Sequence, residues 1–286
     1  MKKLLLSAFA DEYASGFEEQ LRALCRLGID FIELRFVDGK NFSALSREEL
    51  AYVKELLSRY GVRPSAIGSP IGKIRLDEDV EAHLSLAERV FSYAEELGAK
   101  FVRIFSFYAP EGEDIADHEE EVFSLMEKLL LMAKKHGVTL CHENEAKIYG
   151  DTAERCHRLL KHFGGELGAV FDMGNFVLEG EDPVAAYGRL YPFVRYFHVK
   201  DALFAGAITP PGSGEARIPE LLSAHLERAE GDFFVTLEPH LQTFSGLNAL
   251  VGRSFDNPYK YETQEAAFED AHAKLSEILR SIGEKA

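Results

Sequence analysis

One recurring piece of punctuation limits what this chain can fold into. A helix-periodic stretch closes at a glycine, and a β-rich run begins within a residue or two. It happens at Gly28 (before IDFIELRF), Gly61 (VRPSAIG), Gly98 (AKFVRIFSF), Gly137 (VTLCHENE) and Gly168 (AVFDMGN), at intervals of 33, 37, 39 and 31 residues. Glycine suits the left-handed position that ends a helix, and each following run has the length and β-branched content of a strand. The intervening stretches are amphipathic helices: Phe17, Leu21, Leu24 and Cys25 share one face, as do Val80, Leu84, Ala87, Phe91 and Ala94, and Val122, Leu125, Met126, Leu129 and Ala133. Ser46 with Glu49 has the spacing of a capping box, and Asp151 with Glu154 a similar one.

Repeating strand–helix units mean parallel strands joined by helical crossovers. Eight such units fit into 286 residues. The sequence therefore predicts an α/β fold, a single-domain (β/α)8 TIM barrel over residues 1–286, with strands near 3–9, 30–36, 62–68, 100–106, 137–143, 168–172, 194–199 and 232–238 and a last helix near 264–281. A doubly wound open sheet is the rival, but the chain has neither a GxGxxG turn nor a Walker sequence. Two long loops follow strand ends: Gly206 to Arg217, and about 240–262, an aromatic-rich segment (Phe244, Phe255, Tyr259, Tyr261) expected to act as a lid.

Composition narrows the function. The net charge is −16 and no run of Lys or Arg exceeds two, which argues against a nucleic-acid groove or an anionic membrane surface. Three cysteines (Cys25, Cys141, Cys156) without a CxxC spacing read as buried small hydrophobes in a reducing, cytoplasmic protein. The opening MKKLLLSAFADE imitates a signal peptide, but its apolar run is short and Asp11-Glu12 follows at once, so a first barrel strand is the better reading. No apolar run approaches the length of a membrane span. The expected partner is a small molecule, with no nucleic acid and no membrane, and self-association is compatible with the sequence.

The chemistry gathers where strands end. The fifth ends in His142-Glu143, the sixth in Phe171-Asp172, the seventh carries His198-Val-Lys200, and the eighth ends in Leu237-Glu238. Four consecutive strands thus put a metal donor, Glu143, Asp172, His198 or Glu238, at the same end of the barrel. Any one of these acids alone would read as a salt-bridged loop residue. Three carboxylates with one imidazole suit a hard or borderline divalent ion, Mn²⁺ or Zn²⁺ foremost, with Mg²⁺ and Co²⁺ as alternatives.

Read together, HENE (142–145), FDMGN (171–175), FHVKD (197–201), PGSGEA (211–216) and LEPH (237–240) resemble the sugar phosphate isomerase/epimerase family, the xylose isomerase-like barrel group; SAFADE (7–12), IELR (32–35), GSPIGK (68–73) and RIFSFY (103–108) add to the likeness. The resemblance implies one divalent metal held by Glu143, Asp172, His198 and Glu238, with Glu143 and Glu238 also serving as acid and base. The reaction it implies is isomerisation or epimerisation of a sugar or sugar phosphate by removal of a proton α to a carbonyl, through an enediolate. Two positions depart from the ketose 3-epimerases of the superfamily, which carry a histidine at Asn175 and an arginine at Phe204.

Arg103, Asn175, Lys200, His240 and Lys73 are the expected substrate-binding residues, with Arg103 alternatively a barrel-layer ion-pair partner of Glu33, and Lys200 the next base in line should the glutamates prove to be ligands only. His142 has the opposite strand parity to Glu143, so a place at the rim or behind the ligands is at least as expected as direct contact; His157, His162 and His225 fall on helices and read as surface. The rival functions are a dehydratase acting on a cyclic polyol, an endonuclease IV-like enzyme and a non-catalytic sugar-binding barrel. The endonuclease requires a three-zinc cluster and a basic groove, and the sequence offers neither.

Overall fold

The computed structural model describes residues 2–242 and 259–283. Eight parallel strands make one sheet: β1 Leu4–Ala8, β2 Phe31–Leu34, β3 Arg63–Gly68, β4 Phe101–Ile104, β5 Thr139–Glu143, β6 Gly168–Asp172, β7 Val194–Val199 and β8 Phe233–Leu237. Their hydrogen-bonded order is β1-β8-β7-β6-β5-β4-β3-β2, and β2 lies beside β1, so the sheet curls into a nearly closed ring. Helices α1 Phe17–Leu27, α2 Arg47–Tyr60, α3 Val80–Leu97, α4 Glu119–Lys135, α5 Ala153–His162, α6 Met173–Leu178, α7 Pro183–Leu190, α8 Ile218–Arg228 and α9 Gln264–Gly283 connect or follow the strands. This is the expected single-domain (β/α)8 barrel, with all eight strands within a few residues of their expected places. Among the described residues no helix is long and apolar enough to cross a membrane.

The glycine punctuation holds for three of its five positions. In the other two, α4 is capped by His136 with Gly137 (φ 65°) following, and Gly168 opens β6, since α5 already ends at His162 ahead of Gly164 and Gly165. Gly28, Gly61 and Gly98 end α1, α2 and α3 in the left-handed conformation, φ 72°, 68° and 70°. At the start of α2, the Glu49 amide donates to Ser46 Oγ (3.2 Å) and the Ser46 amide to Glu49 Oε2 (2.6 Å), a complete capping box. The cap of α5 is Thr152, whose Oγ1 accepts from the Arg155 amide, rather than Asp151.

Other expectations need correction. Cys25 is exposed, because it lies at the edge of the α1 stripe and Ala23 is buried in its stead. His225 is buried rather than on the surface: its Nδ1 lies 3.0 Å from Tyr187 Oη, and Phe197 and Phe233 pack against its ring. Two short hairpins, Phe36–Val37 with Lys40–Asn41 and Asp201–Ala202 with Ile208–Thr209, decorate the mouth without having been foreseen.

Inside the barrel, Ala66, Phe101, Cys141, Val170 and Tyr196, with Phe234 against them, make an apolar floor. Strand alternation then sets the next inward residues, Arg103, Glu143, Asp172 and His198, above it at the C-terminal end. The loops after β3 and β4 are stitched together there: the Phe105 amide donates to Ile71 O (2.8 Å), the Phe107 amide to Gly72 O (2.9 Å) and the Tyr108 amide to Ile74 O (3.0 Å). A Cβ on Gly72 (φ 85°) would lie 2.1 Å from Phe105 O, whereas one on Gly98 would meet nothing within 4 Å.

These two glycines yield a paired prediction. Gly98→Ala bears only the left-handed conformational cost and should lower unfolding stability by about 1 kcal/mol. Gly72→Ala adds a backbone clash and should cost about 3 kcal/mol or more. Urea denaturation of both variants measures this; equal losses would show that the stitched loops are not close-packed.

Candidate metal centre and active site

Four side chains converge above the floor. Donor atoms of Glu143, Asp172, His198 and Glu238 all lie within 4.8 Å of one another, and all four residues are buried. Each is also held by something else. Glu143 Oε2 accepts from Arg103 Nη1 (2.6 Å). Asp172 Oδ1 caps α6 by accepting from the Asn175 amide (2.9 Å), while Lys200 Nζ donates to its Oδ2 (2.8 Å). Glu238 Oε1 accepts from Arg35 Nη1 (2.9 Å).

His198 is fixed from behind by Glu33, whose Oε2 lies 3.0 Å from Nε2. Glu33 is itself steadied by Tyr196 Oη and Thr236 Oγ1, each donating at 3.0 Å. The remaining ring nitrogen, Nδ1, faces Glu143 Oε1 (2.9 Å) and Glu238 Oε2 (3.2 Å). A carboxylate behind a ligand histidine sets its tautomer and raises its basicity. Glu33 is therefore engaged with His198, and Arg103 takes Glu143 as its hydrogen-bonded partner; the alternative Arg103–Glu33 bridge is not formed.

Arg35 was not singled out from the sequence as a site residue. Its guanidinium binds Asp11 Oδ2 (2.9 Å), Glu12 Oε1 (3.0 Å) and Glu238 Oε1 (2.9 Å), joining the ends of β1, β2 and β8. Glu12 Oε2 also accepts from the His240 amide at 2.7 Å. His240 adopts a positive φ of 49° and sets Nε2 3.2 Å from Glu238 Oε1. Glu12, Glu238 and His240 form a second group with metal-ligand chemistry, but the Arg35 cation already sits against both of its carboxylates.

The other expected residues fall around this core. Asn175 Oδ1 accepts from Lys200 Nζ (3.1 Å) and its Nδ2 donates to Asn144 O (2.9 Å), so it braces Lys200. Gly174 permits this: a Cβ there would lie 2.8 Å from both Lys200 Cγ and its carbonyl oxygen. Lys73 stands at the rim, its ammonium 3.1 Å from Glu145 Oε2 and over the Phe105 ring. His142 points away from the donors, Nε2 2.9 Å from Ser106 Oγ, and burial lowers its pKa to about 4. Of the expected lid, residues 243–258 lie outside the described residues; at its ends, Gln242 Nε2 donates to Tyr261 O (3.4 Å).

Electrostatics favour a cation at the centre. Six buried carboxylates, Asp11, Glu12, Glu33, Glu143, Asp172 and Glu238, face three permanent cations, Arg35, Arg103 and Lys200. Burial pushes Asp172 up to about 7 despite Lys200, and Glu12 up to about 8 despite Arg35. Burial opposes a charge on His198 too, yet Glu33, Glu143 and Glu238 hold its pKa well above the ordinary value. Lys200 is likewise held up by Asp172 and Glu238 against burial, so it stays an ammonium and is unsuited to the role of base. Glu238 Oε2 is buried without a hydrogen-bond partner. The Glu238 oxygen without a hydrogen bond, the carboxyl groups whose ionisation burial opposes, and the three-carboxylate, one-imidazole donor set all fit a divalent cation.

Architecture and site together define a class, that of barrels with a buried acidic cluster at the C-terminal mouth. The chain belongs to the xylose isomerase-like TIM barrel family, whose model matches residues 21–256. Among solved structures it is similar to a protein described as IOLI with a binding zinc atom (17% identity, TM-score 0.76, covering 99% of each chain). A D-allulose 3-epimerase from Methylomonas sp. in complex with D-allulose is also similar (15%, 0.74, 98% of each). So is a xylose isomerase-like TIM barrel protein from Mycobacterium smegmatis in complex with magnesium (18%, 0.69, 99% of this chain and 98% of that one). No curated protein matches by sequence.

Two outcomes are expected for cation binding. Glu33→Ala leaves the four donors intact but removes the support behind His198, and should weaken divalent-metal affinity about 10–100-fold; unchanged affinity by calorimetry would assign Glu33 a purely structural role. A cation taken up at His198 Nδ1 must also displace the firmly held proton, so affinity should fall as pH falls and binding should release protons. Calorimetry in buffers of different ionisation enthalpy reads that release.

Proposed function

We propose that the protein is a metal-dependent sugar isomerase or epimerase that removes and returns a proton α to a carbonyl. The observation that carries this reading is the placement of two glutamates, Glu143 on β5 and Glu238 just after β8, on different sides of one donor cluster. We take Glu143, Asp172, His198 and Glu238 as the ligands of one divalent ion, Mn²⁺ or Zn²⁺ before Mg²⁺ or Co²⁺. Such an ion supplies Lewis-acid polarisation of a substrate carbonyl and its neighbouring hydroxyl.

The chain's own groups do the rest. Glu143 and Glu238 are assigned as the catalytic acid and base, one taking the proton and the other giving it back, from the opposite face for epimerisation. Lys200, fixed as an ammonium by Asp172 and Asn175, donates to an oxygen on which negative charge grows. Arg103 keeps two buried donors, Nε and Nη2, without hydrogen-bond partners, and offers them to substrate oxygens. His240, neutral because burial and Lys200 lower its pKa to about 4, lines the same face. Asn175 orients Lys200, and Lys73 serves at the rim. The segment 240–262 is assigned as a lid that keeps water from the enediolate.

Support comes from the family and from the similar D-allulose 3-epimerase structure. A dehydratase would share the proton abstraction and then expel water; proton exchange without water loss separates the two.

Glu143→Gln and Glu238→Gln each keep a metal-binding oxygen and remove a base. Each should retain most of the metal and lose about three or more decades of kcat. With a sugar panel in D₂O, the wild type should place solvent deuterium at the reacting carbon. Product free of solvent label would point to internal hydride transfer, and two active Gln variants would reduce both glutamates to ligands. Shortening the segment between Gln242 and Tyr259 should raise KM and lower kcat; unchanged kinetics would rule out a lid.

A further inference from the structure

The starts of the strands make the face opposite the donor cluster, and in barrels of this kind that face ordinarily serves stability. Here it carries a cleft of about 520 Å³, set among the first residues of β4, β7 and β8 and the loop that leaves α8. That volume is in the range of small-molecule sites, so there is room for an organic ligand and not only for an ion.

Three cations line the cleft, Lys100, Arg195 and Arg228. Among the described residues none of them has an ion-pair partner, on a chain of net charge −16. Two acids share the space. Asp232 Oδ1 is taken by the Lys3 amide (2.8 Å), and Glu230 is exposed on the loop. Arg195 is placed there by the fold. The pairing of β6 with β7 slips between Ala169 and Val170, and the arginine stem lies against bare Gly168, where a Cβ would be 2.4 Å from Arg195 Cγ and 3.1 Å from Cys141 Sγ. Gly168 thus admits a guanidinium to the underside of the apolar floor. One of its nitrogens, Nη2, donates to Gly165 O (3.3 Å).

His225 adds a buried polar group. It is 6% exposed and lines the same cleft. Its Nδ1 is taken by Tyr187 Oη (3.0 Å), and Nε2 has no partner among the described residues. A tyrosine hydroxyl that donates to Nδ1 leaves the ring proton on Nε2, as a donor. Burial, Arg228 and Lys2 lower the pKa of the ring to about 4, so it is neutral. At the cleft's edge the Arg228 guanidinium lies over the exposed Tyr191 ring, 4.9 Å from its centroid.

We propose that this cleft binds an organic phosphate: Lys100, Arg195 and Arg228 neutralise the phosphoryl group, His225 Nε2 donates to one of its oxygens, and the Tyr191 ring packs against the organic part. A phosphate ester brings about two negative charges and three acceptor oxygens, which match three cations and one neutral donor; a carboxylate would leave cations unmatched. The cleft lies a strand's length from Glu143, Asp172, His198 and Glu238, so its occupant binds alongside a ligand at that cluster and not in competition with it. The proposal is independent of the sugar-enzyme reading.

Phenyl phosphate and benzoate, titrated into the full chain in Mg²⁺-containing buffer, test it. Calorimetry should show saturable binding of phenyl phosphate, at least about tenfold tighter than that of benzoate, and the His225 ring signals should shift along the same curve in NMR spectra. Arg195→Met keeps the stem over Gly168 and removes the guanidinium, and Arg228→Gln removes a second one; each should weaken binding at least about tenfold. Absence of saturable binding, or binding that survives both substitutions, overturns the proposal, and the second result would place the ligand elsewhere on the barrel. Benzoate bound as tightly as phenyl phosphate overturns the assignment to phosphate. If Arg195→Met does not fold, Arg228→Gln and Lys100→Gln decide, both made at exposed side chains.

Discussion

The site depends on concentrating negative charge where water is excluded. A buried carboxylate is costly unless cations and hydrogen bonds surround it, and six of them share the mouth of this barrel. Arg35 is the junction that makes the arrangement tenable. By binding Asp11, Glu12 and Glu238 it ties the place where β1 and β2 close the ring to the end of β8. The guanidinium also lies over the Phe9 ring, 4.0 Å from its centroid, so ring packing adds to the three ion pairs in holding it. Replacing it with lysine would lose the planar fork that reaches three carboxylates at once.

The two central glutamates are not equivalent. Both oxygens of Glu143 are engaged, one with Arg103 and one facing His198, and these two cations hold its pKa below the usual carboxylate range in spite of burial. Glu238 has Arg35 on one oxygen, while its other oxygen lies 3.2 Å from His198 Nδ1 without a hydrogen bond. Lys200 and His198 hold Glu238 low as well, again against burial. The difference lies in hydrogen bonding: Glu143 has a partner on each oxygen, whereas Glu238 Oε2 has ion-pair neighbours but no hydrogen bond.

Much of this was legible in the sequence because the period of the barrel is local. Glycines after several helices and donors at four strand ends are short-range signals, so the eight strands and the group Glu143, Asp172, His198 and Glu238 could be read directly. Arg35 to Glu238 spans 203 residues, and no local pattern announces a contact made only when the ring closes. Asp201, beside Lys200 in the sequence, reads as half of a charged pair, while its partners are four amides gathered by a loop that folds back over it. His225 was misread since its helix gives no hint of Phe197 and Phe233, which come from β7 and β8. The Glu33–His198 contact needed only the parity argument applied across the barrel as well as along one strand.

Every candidate ligand is held in place by a partner other than the ion: Glu143 by Arg103, His198 by Glu33, Glu238 by Arg35, and Asp172 by the first turn of α6. A zinc finger gathers its ligands as it folds and collapses when the metal is withdrawn. Here the four donors have protein partners of their own, so the cluster is propped from outside. On the proposed reading, an ion bound there would be sorted by how well it matches a cage held by these partners, and one ion could replace another without the scaffold coming apart.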